Sequence, residues 1–154
     1  MSEHAHLPIG VFDSGLGGLT VLRALQEVLP CEDFVYLGDV ARLPYGTKSQ
    51  GVIREYAKQC IEFLVAQRVK AVVIACNTAS AMALEALREE FSLPLFGVLH
   101  SGARAGLRAA TRKRAILVLG TESTVRSEAY LKVFSALDPQ VRVTQLACPL
   151  LVPL

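Results

Sequence analysis

The sequence predicts an α/β protein built on a parallel sheet of βαβ units. Three observations carry this expectation. Short apolar runs alternate with longer amphipathic stretches along the chain. Within the longer stretches, bulky apolar residues recur at helical spacing. Clusters of unusual polar residues follow the apolar runs, and in open α/β sheets the carboxyl ends of the strands are where ligands bind.

The elements follow in order. Residues 8–12 (PIGVF) are the first strand, and 17–29 a helix with Leu19, Leu22, Leu25 and Leu29 on one face. Residues 34–37 (FVYL) are the second strand. The stretch 49–67 reads as a long amphipathic helix with Ile53, Tyr56, Ala57, Cys60 and Leu64 turned inward. A third strand at 71–75 leads to a helix over 79–91, and a fourth strand at 94–99 to a helix over 101–111. A fifth strand at 115–119, a helix over 123–137 and a sixth strand at 141–146 follow. A crossover is expected around 99–102, dividing the chain into a first α/β lobe over 1–98 and the beginning of a second over 99–154. The ending, ACPLLVPL, is apolar, so the chain is expected to continue or to pack on something else.

Composition narrows the functional classes. The 154 residues are 52% hydrophobic and 19% charged, enough apolar material for a core and against disorder. A net charge of +2 is too mild to imply nucleic-acid binding by itself. The apolar runs fall far short of the roughly 18 residues that a membrane span needs. MSEHAHLPIG has neither a basic nor a long apolar segment of a secretory leader, so a cytoplasmic protein is expected, with no membrane or nucleic-acid partner. The four cysteines, Cys31, Cys60, Cys76 and Cys148, form no CxxC pair, so neither a metal site nor a disulfide framework is expected.

The polar clusters are Asp13-Ser14-Gly15, Gly38-Asp39 with Pro44-Tyr45-Gly46, Cys76-Asn77-Thr78, His100-Ser101-Gly102 and Gly120-Thr121-Glu122. DSGLGG resembles a phosphate-cradling turn, but GxGxxG would need glycine where Thr20 stands. Asp13 would repel phosphate and welcome an ammonium group, with Ser14 adding a hydrogen bond; the alternative is a tight turn with Asp13 capping a helix. PYG offers either a substrate wall with backbone N–H groups at Tyr45 and Gly46, or a plain turn.

Cys76 precedes a helix, whose N-terminus is expected to lower its thiol pKa and supply thiolate near neutral pH. Asn77 and Thr78 suit both capping and carboxylate binding. Cys31 and Cys60 read as structural, with Cys148 and His100 as lesser candidates for acid/base work. His4 and His6 read as solvated, and Glu85, Arg88, Glu89 and Glu90 as a charged helix face. No supporting phosphate cradle marks Lys48, Lys58, Lys70, Lys113 or Lys132 as a Schiff-base lysine, so no cofactor is expected. With no base placed by motif beside Cys76, proton transfer at a weak carbon acid is the chemistry that fits the thiol, with Ser14, Asn77, Thr78 and Thr121 as donors to carboxylates.

Together, IGVFDSGLGGLTVL, LGDVARLPYGTKS, VVIACNTASA, GARAGL, LGTESTV and ACPLLVPL resemble the bacterial glutamate racemases of the aspartate/glutamate racemase superfamily. The resemblance implies a cofactor-independent isomerase that interconverts L- and D-glutamate for peptidoglycan synthesis. It implies two similar α/β lobes with the site between them, and a homodimer as a possible assembly. Cys76 matches the first of two facing catalytic cysteines, the one on the D-glutamate side. Asp13, Ser14, Tyr45, Gly46, Asn77, Thr78 and Thr121 match positions that bind substrate or support the thiol. Asp13 is taken with Cys76 as catalytic.

The sequence departs from that pattern. It has no Cys-Thr-His stretch to supply the second cysteine, and Cys148 belongs to ACPLL instead. The second lobe is therefore expected to be incomplete. Ser101, after His100, stands where the family often has proline. Three alternatives stay open: another amino-acid racemase of the superfamily, a non-catalytic fragment that holds a dicarboxylate or a partner subunit, and a dinucleotide-binding fragment using Gly15, Gly17 and Asp39.

Overall fold

Valine, isoleucine and phenylalanine crowd the short runs that pair into the larger sheet, as β-branched and aromatic residues favour. The computed structural model describes residues 6–110 and 114–151. His4, Lys113 and the last three residues of ACPLLVPL lie outside that range. Strands β1 (Ile9–Asp13), β2 (Phe34–Gly38), β3 (Ala71–Ile74) and β4 (Leu95–Gly97) form a parallel sheet in the order β2-β1-β3-β4. Strands β5 (Ala115–Gly120) and β6 (Arg142–Ala147) pair in parallel as a second, two-stranded sheet.

Helices α1 (Leu19–Val28), α2 (Gln50–Ala66), α3 (Asn77–Met82), α4 (Leu84–Glu90), α5 (Leu99–Ala109), α6 (Glu122–Arg126) and α7 (Ala129–Leu137) connect the strands. Two expected helices are each divided. The 79–91 stretch breaks at Ala83, and its first part begins at Asn77 because Cys76 caps it. The 123–137 stretch breaks at Glu128, whose φ of 55° is left-handed. The fourth strand stops at Gly97, where the Ser80 hydroxyl takes the Val98 N–H at 3.4 Å. Residues 99–102 are consequently helical, the first turn of the α5 that leads from β4 of the larger sheet to β5 of the smaller, and His100 is an exposed helical residue.

One face of the larger sheet carries the core. Phe12, Val72 and Ile74 share a buried cluster with Ile53, Ala57, Cys60, Ile61 and Leu64 of α2 and with Leu84 and Leu87 of α4. The inward face of α2 is the one the apolar spacing predicts. The opposite sheet face is only partly covered. Ile9, Ala71, Val73 and Phe96 border an open groove of about 750 Å³, with Leu25 and Val28 of α1 on its other side. No residue of α1 is fully buried; Val21, Ala24, Leu25 and Val28 face this groove, whereas Leu19 and Leu22 of the expected leucine face do not line it. The smaller sheet leaves Leu117, Leu119 and Leu146 exposed. Among the described residues no helix is long and apolar enough to cross a membrane, and no group of His, Cys, Asp and Glu is gathered as for a metal ion.

The strand order has a functional consequence. From β1 the chain goes to β2 on one side and later to β3 on the other, so the topological switch point lies between β1 and β3. Phe12 pairs with Ile74, which sends the chain out of both strands side by side, toward Asp13 and toward Cys76.

Leu64 is fully buried, with its side chain against Gly10. Leu64→Ala is expected to cost about 2–5 kcal/mol by leaving a cavity. The urea midpoint should fall with little change in slope.

Candidate functional site

The site starts from the turn after β1. Asp13 is buried at the strand end, and its Oδ2 accepts the Gly15 N–H at 2.9 Å. Helix α1 begins only after Gly18 and has no side-chain cap. Asp13 therefore closes the turn two residues on, and is not a helix cap. A Cβ at Gly18 would lie 2.5 Å from Asp13 Cβ, so only glycine lets α1 start directly against this carboxylate. Strand β2 braces the same turn. Tyr36 donates its hydroxyl to the Gly15 carbonyl at 2.9 Å, and the Asp39 N–H bonds the Asp13 carbonyl at 2.8 Å.

Cys76 stands across from this turn. It caps α3, with the Ala79 N–H donating to Sγ at 3.4 Å, and its own S–H donates to Ser14 Oγ at 3.2 Å. The depressed thiol pKa expected from the helix terminus does not hold. Burial pushes the Cys76 thiol up, the Ser14 and Ala79 hydrogen bonds pull it partly back, and nearby Asp13 pushes it up again. Helix α3 has only six residues, too short to reverse the cost of burying a thiolate at 5% exposure. At rest the group is a thiol. Tyr36 feels the same surroundings: burial, then Asp13 and Cys76, raise it to about 12.

A second cluster joins the larger sheet to the smaller one. Thr78 Oγ1 lies 3.0 Å from Thr121 Oγ1 and 3.3 Å from Thr124 Oγ1, and Thr121 donates to Thr124 at 2.9 Å. Thr121 also caps α6 by accepting the Thr124 N–H at 3.1 Å. The PYG segment forms a 3-10 turn, Tyr45–Thr47, pressed against this cluster. A Cβ at Gly46 would fall 2.4 Å from Thr121 Cβ, so this approach also requires glycine. Buried Ser123 donates to the Lys48 carbonyl at 2.9 Å and ties α6 to the end of the turn.

The structure thus brings Asp13, Ser14 and Cys76 together, and sets Thr78, Thr121 and Gly46 in contact beside them. Two sequence candidates are placed differently. The Tyr45 side chain is buried beneath its turn with its hydroxyl on Asp39, leaving only the backbone available. Asn77 is exposed, and its Oδ1 accepts the Tyr130 hydroxyl at 2.7 Å on the side of the apolar groove. Cys148 is partly buried after β6, its N–H on the Gly120 carbonyl, and Cys31 is exposed.

The family model for Asp/Glu/hydantoin racemases matches residues 9–149. The chain belongs to that family of racemases. It is 51% identical over 146 residues to the glutamate racemase of Geobacter metallireducens, covering 95% of this chain and 54% of that protein. The crystal structure of the RacE1 isoform of glutamate racemase from Bacillus anthracis superposes with a TM-score of 0.92 at 44% identity, over 97% of this chain and 56% of that one. Glutamate racemase from Francisella tularensis, solved in complex with D-glutamate, gives 0.86 at 40% identity, over 96% and 55%. The chain spans about half the length of these relatives.

Sequence reasoning missed Tyr36, Ser123, Thr124 and Tyr130. Thr124 had a signal, since Thr121 and Thr124 are spaced as a helix cap and its acceptor. Tyr36 is the one hydroxyl in FVYL, but which end of the sheet it serves depends on register.

Two outcomes follow for the thiols. With iodoacetamide, exposed Cys31 should react first, while Cys76 lags at pH 7 and accelerates in the alkaline range. Ser14→Ala should shift that acceleration to higher pH, as peptide mass spectrometry would record. Cys60 is raised from 9.0 to about 11, chiefly by burial and then by Asp39. Between those values the unfolded chain releases this proton while the native chain keeps it. Stability should therefore hold below the lower value and fall by up to about 1.4 kcal/mol per pH unit above it. Cys60→Ala should flatten that slope in denaturant titrations.

Proposed function

We propose that this chain carries the D-glutamate side of a cofactor-independent glutamate racemase, with Cys76 as the base. The contact that carries the reading is Cys76 Sγ on Ser14 Oγ at the β1–β3 switch point, beside the Asp13 carboxylate. In this reading the substrate ammonium sits against Asp13. Its positive charge offsets the carboxylate's repulsion of a thiolate, so the substrate itself helps Cys76 ionise. The carboxylates take hydroxyl donors from Thr78 and Thr121 and N–H donors from the Gly46 turn. Asn77, held by Tyr130, supports the wall beside them.

The proton balance is simple. The Cys76 thiol first gives its proton to water as the ammonium settles against Asp13; the Cα–H bond then breaks, its proton goes to the Cys76 thiolate, and the electron pair stays on Cα, delocalised into the adjacent carboxylate. Return of a solvent proton from Cys76 gives exchange with retention. Delivery from the opposite face gives the other enantiomer and needs a second acid, which the resemblance does not match to any residue of this chain. On this reading the whole protein is a cytoplasmic supplier of D-glutamate for peptidoglycan, with a homodimer as its candidate assembly.

A second reading is favoured by the raised Cys76 pKa alone: the chain holds a dicarboxylate without removing its proton. Proton NMR in D2O separates the two. The α-proton signal of D-glutamate should fade in the presence of this chain and persist with Cys76→Ala. Binding without exchange would overturn the catalytic reading and leave the second. Faster exchange of D-aspartate than of D-glutamate would move the assignment to another racemase of the family.

A further inference from the structure

We propose that Asp39 and Arg42 are positioning residues, which act through the Tyr45 hydroxyl to set the Gly46 peptide at the edge of the site. The proposal rests on the racemase reading for its purpose, but its geometry stands independently. Asp39 is 7% exposed, and one carboxylate oxygen takes both the Tyr45 hydroxyl at 2.5 Å and Arg42 Nε at 2.6 Å. The other guanidinium nitrogens are also committed, one to Gln59 Oε1 at 2.5 Å and one to Cys60 Sγ at 3.4 Å. The guanidinium carbon lies 4.5 Å from the centroid of the Tyr56 ring, which itself packs on Tyr45 with centroids 5.7 Å apart. Arginine's planar fork, with all its nitrogens engaged, fixes the orientation of the carboxylate, and the carboxylate fixes the phenol.

The cost of this arrangement argues for a role in geometry. Removing the Asp39 carboxylate from water, with Arg42 partly exposed beside it, offsets much of their attraction, so such a pair adds little net stability compared with apolar packing. What it adds is a defined rotation of the Tyr45 side chain. Tyr45 opens the 3-10 turn, and Gly46, the next residue, is the one that touches Thr121. A tilt of Tyr45 therefore moves the Gly46 N–H relative to Thr121, Thr78 and Cys76. Phe12 on the other side of Tyr45, 6.2 Å between ring centroids, holds the ring in place but is indifferent to where the hydroxyl points.

The test is amide NMR of the 154-residue chain with and without D-glutamate. Tyr45→Phe keeps the ring and removes only the hydroxyl, so it should stay folded. Its free-state Gly46 amide signal should be displaced, while amides of the α2 core stay in place, and its affinity for D-glutamate should drop about tenfold. Asp39→Ala should do the same. Asp39→Asn, whose amide oxygen still accepts from Tyr45, should return the Gly46 amide signal close to its original position and the affinity to within about threefold of the original. An unmoved Gly46 amide in Tyr45→Phe overturns the proposal, whatever the affinity. If the unaltered chain fails to bind glutamate, the racemase reading is what has failed. The Gly46 amide in the free proteins then decides the positioning role: displaced in Tyr45→Phe and restored in Asp39→Asn upholds it, unmoved refutes it.

Discussion

Parallel pairing of β1 with β3 sets Phe12 beside Ile74, and most of the site depends on that register. Both side chains belong to the buried cluster under α2. A slip of one residue would turn them toward the opposite face and exchange core for groove. The hydrophobic contact that holds the sheet together thus also determines which residues leave the two strands side by side. Leu64 and Val72 both pack against Gly10, so the same helix that closes the core locks the strand whose end carries Asp13. Stability and site geometry are here a single constraint. The opposite face buries Val11 at its centre and is otherwise only partly covered.

The chemistry near Cys76 is a balance of opposed terms. Burial and a neighbouring carboxylate disfavour the thiolate, whereas a hydroxyl and a helix N–H favour it. A site of this kind is quiet when empty. On the proposed reading, ionisation of the thiol waits for the arrival of a substrate cation against Asp13. The neighbouring phenols follow the same rule, since Tyr36 and Tyr130 are both raised by burial and act as fixed hydrogen-bond donors across the neutral range.

Much of this was legible in the sequence. Alternating apolar runs and helical spacing located every strand of both sheets, because those patterns record one-sided burial directly. DSG, PYG and CNT marked the strand ends because their polar and glycine residues are unusual after an apolar run, although Tyr45 and Cys76 also pack in the buried core. Other features were not legible, and for identifiable reasons. Glu128 breaks a helix without glycine or proline, so no local propensity announces it. The strand at 94–99 shortened because a serine eighteen residues earlier captures a backbone N–H. Tyr130 reaches Asn77 from fifty-three residues away, and Ser123 reaches Lys48 from seventy-five. Such pairings exist only after the chain has folded. The protonation of Cys76 was misjudged because a helix terminus is visible in sequence while the desolvation opposing it is not.

The threonine cluster has a mechanical implication. Thr78, Thr121 and Thr124 join the two sheets through neutral hydroxyls, each able to donate or accept as its proton rotates. A joint of this kind tolerates changes of partner. A hydroxyl that loses one neighbour can turn to another, or to an entering water, without exposing an unpaired charge. Movement between the sheets would turn these three protons about their C–O bonds, but it would also have to stretch the Ser123–Lys48 and Tyr130–Asn77 hydrogen bonds, so the hydroxyl joint gives way first and those two bonds limit how far it opens.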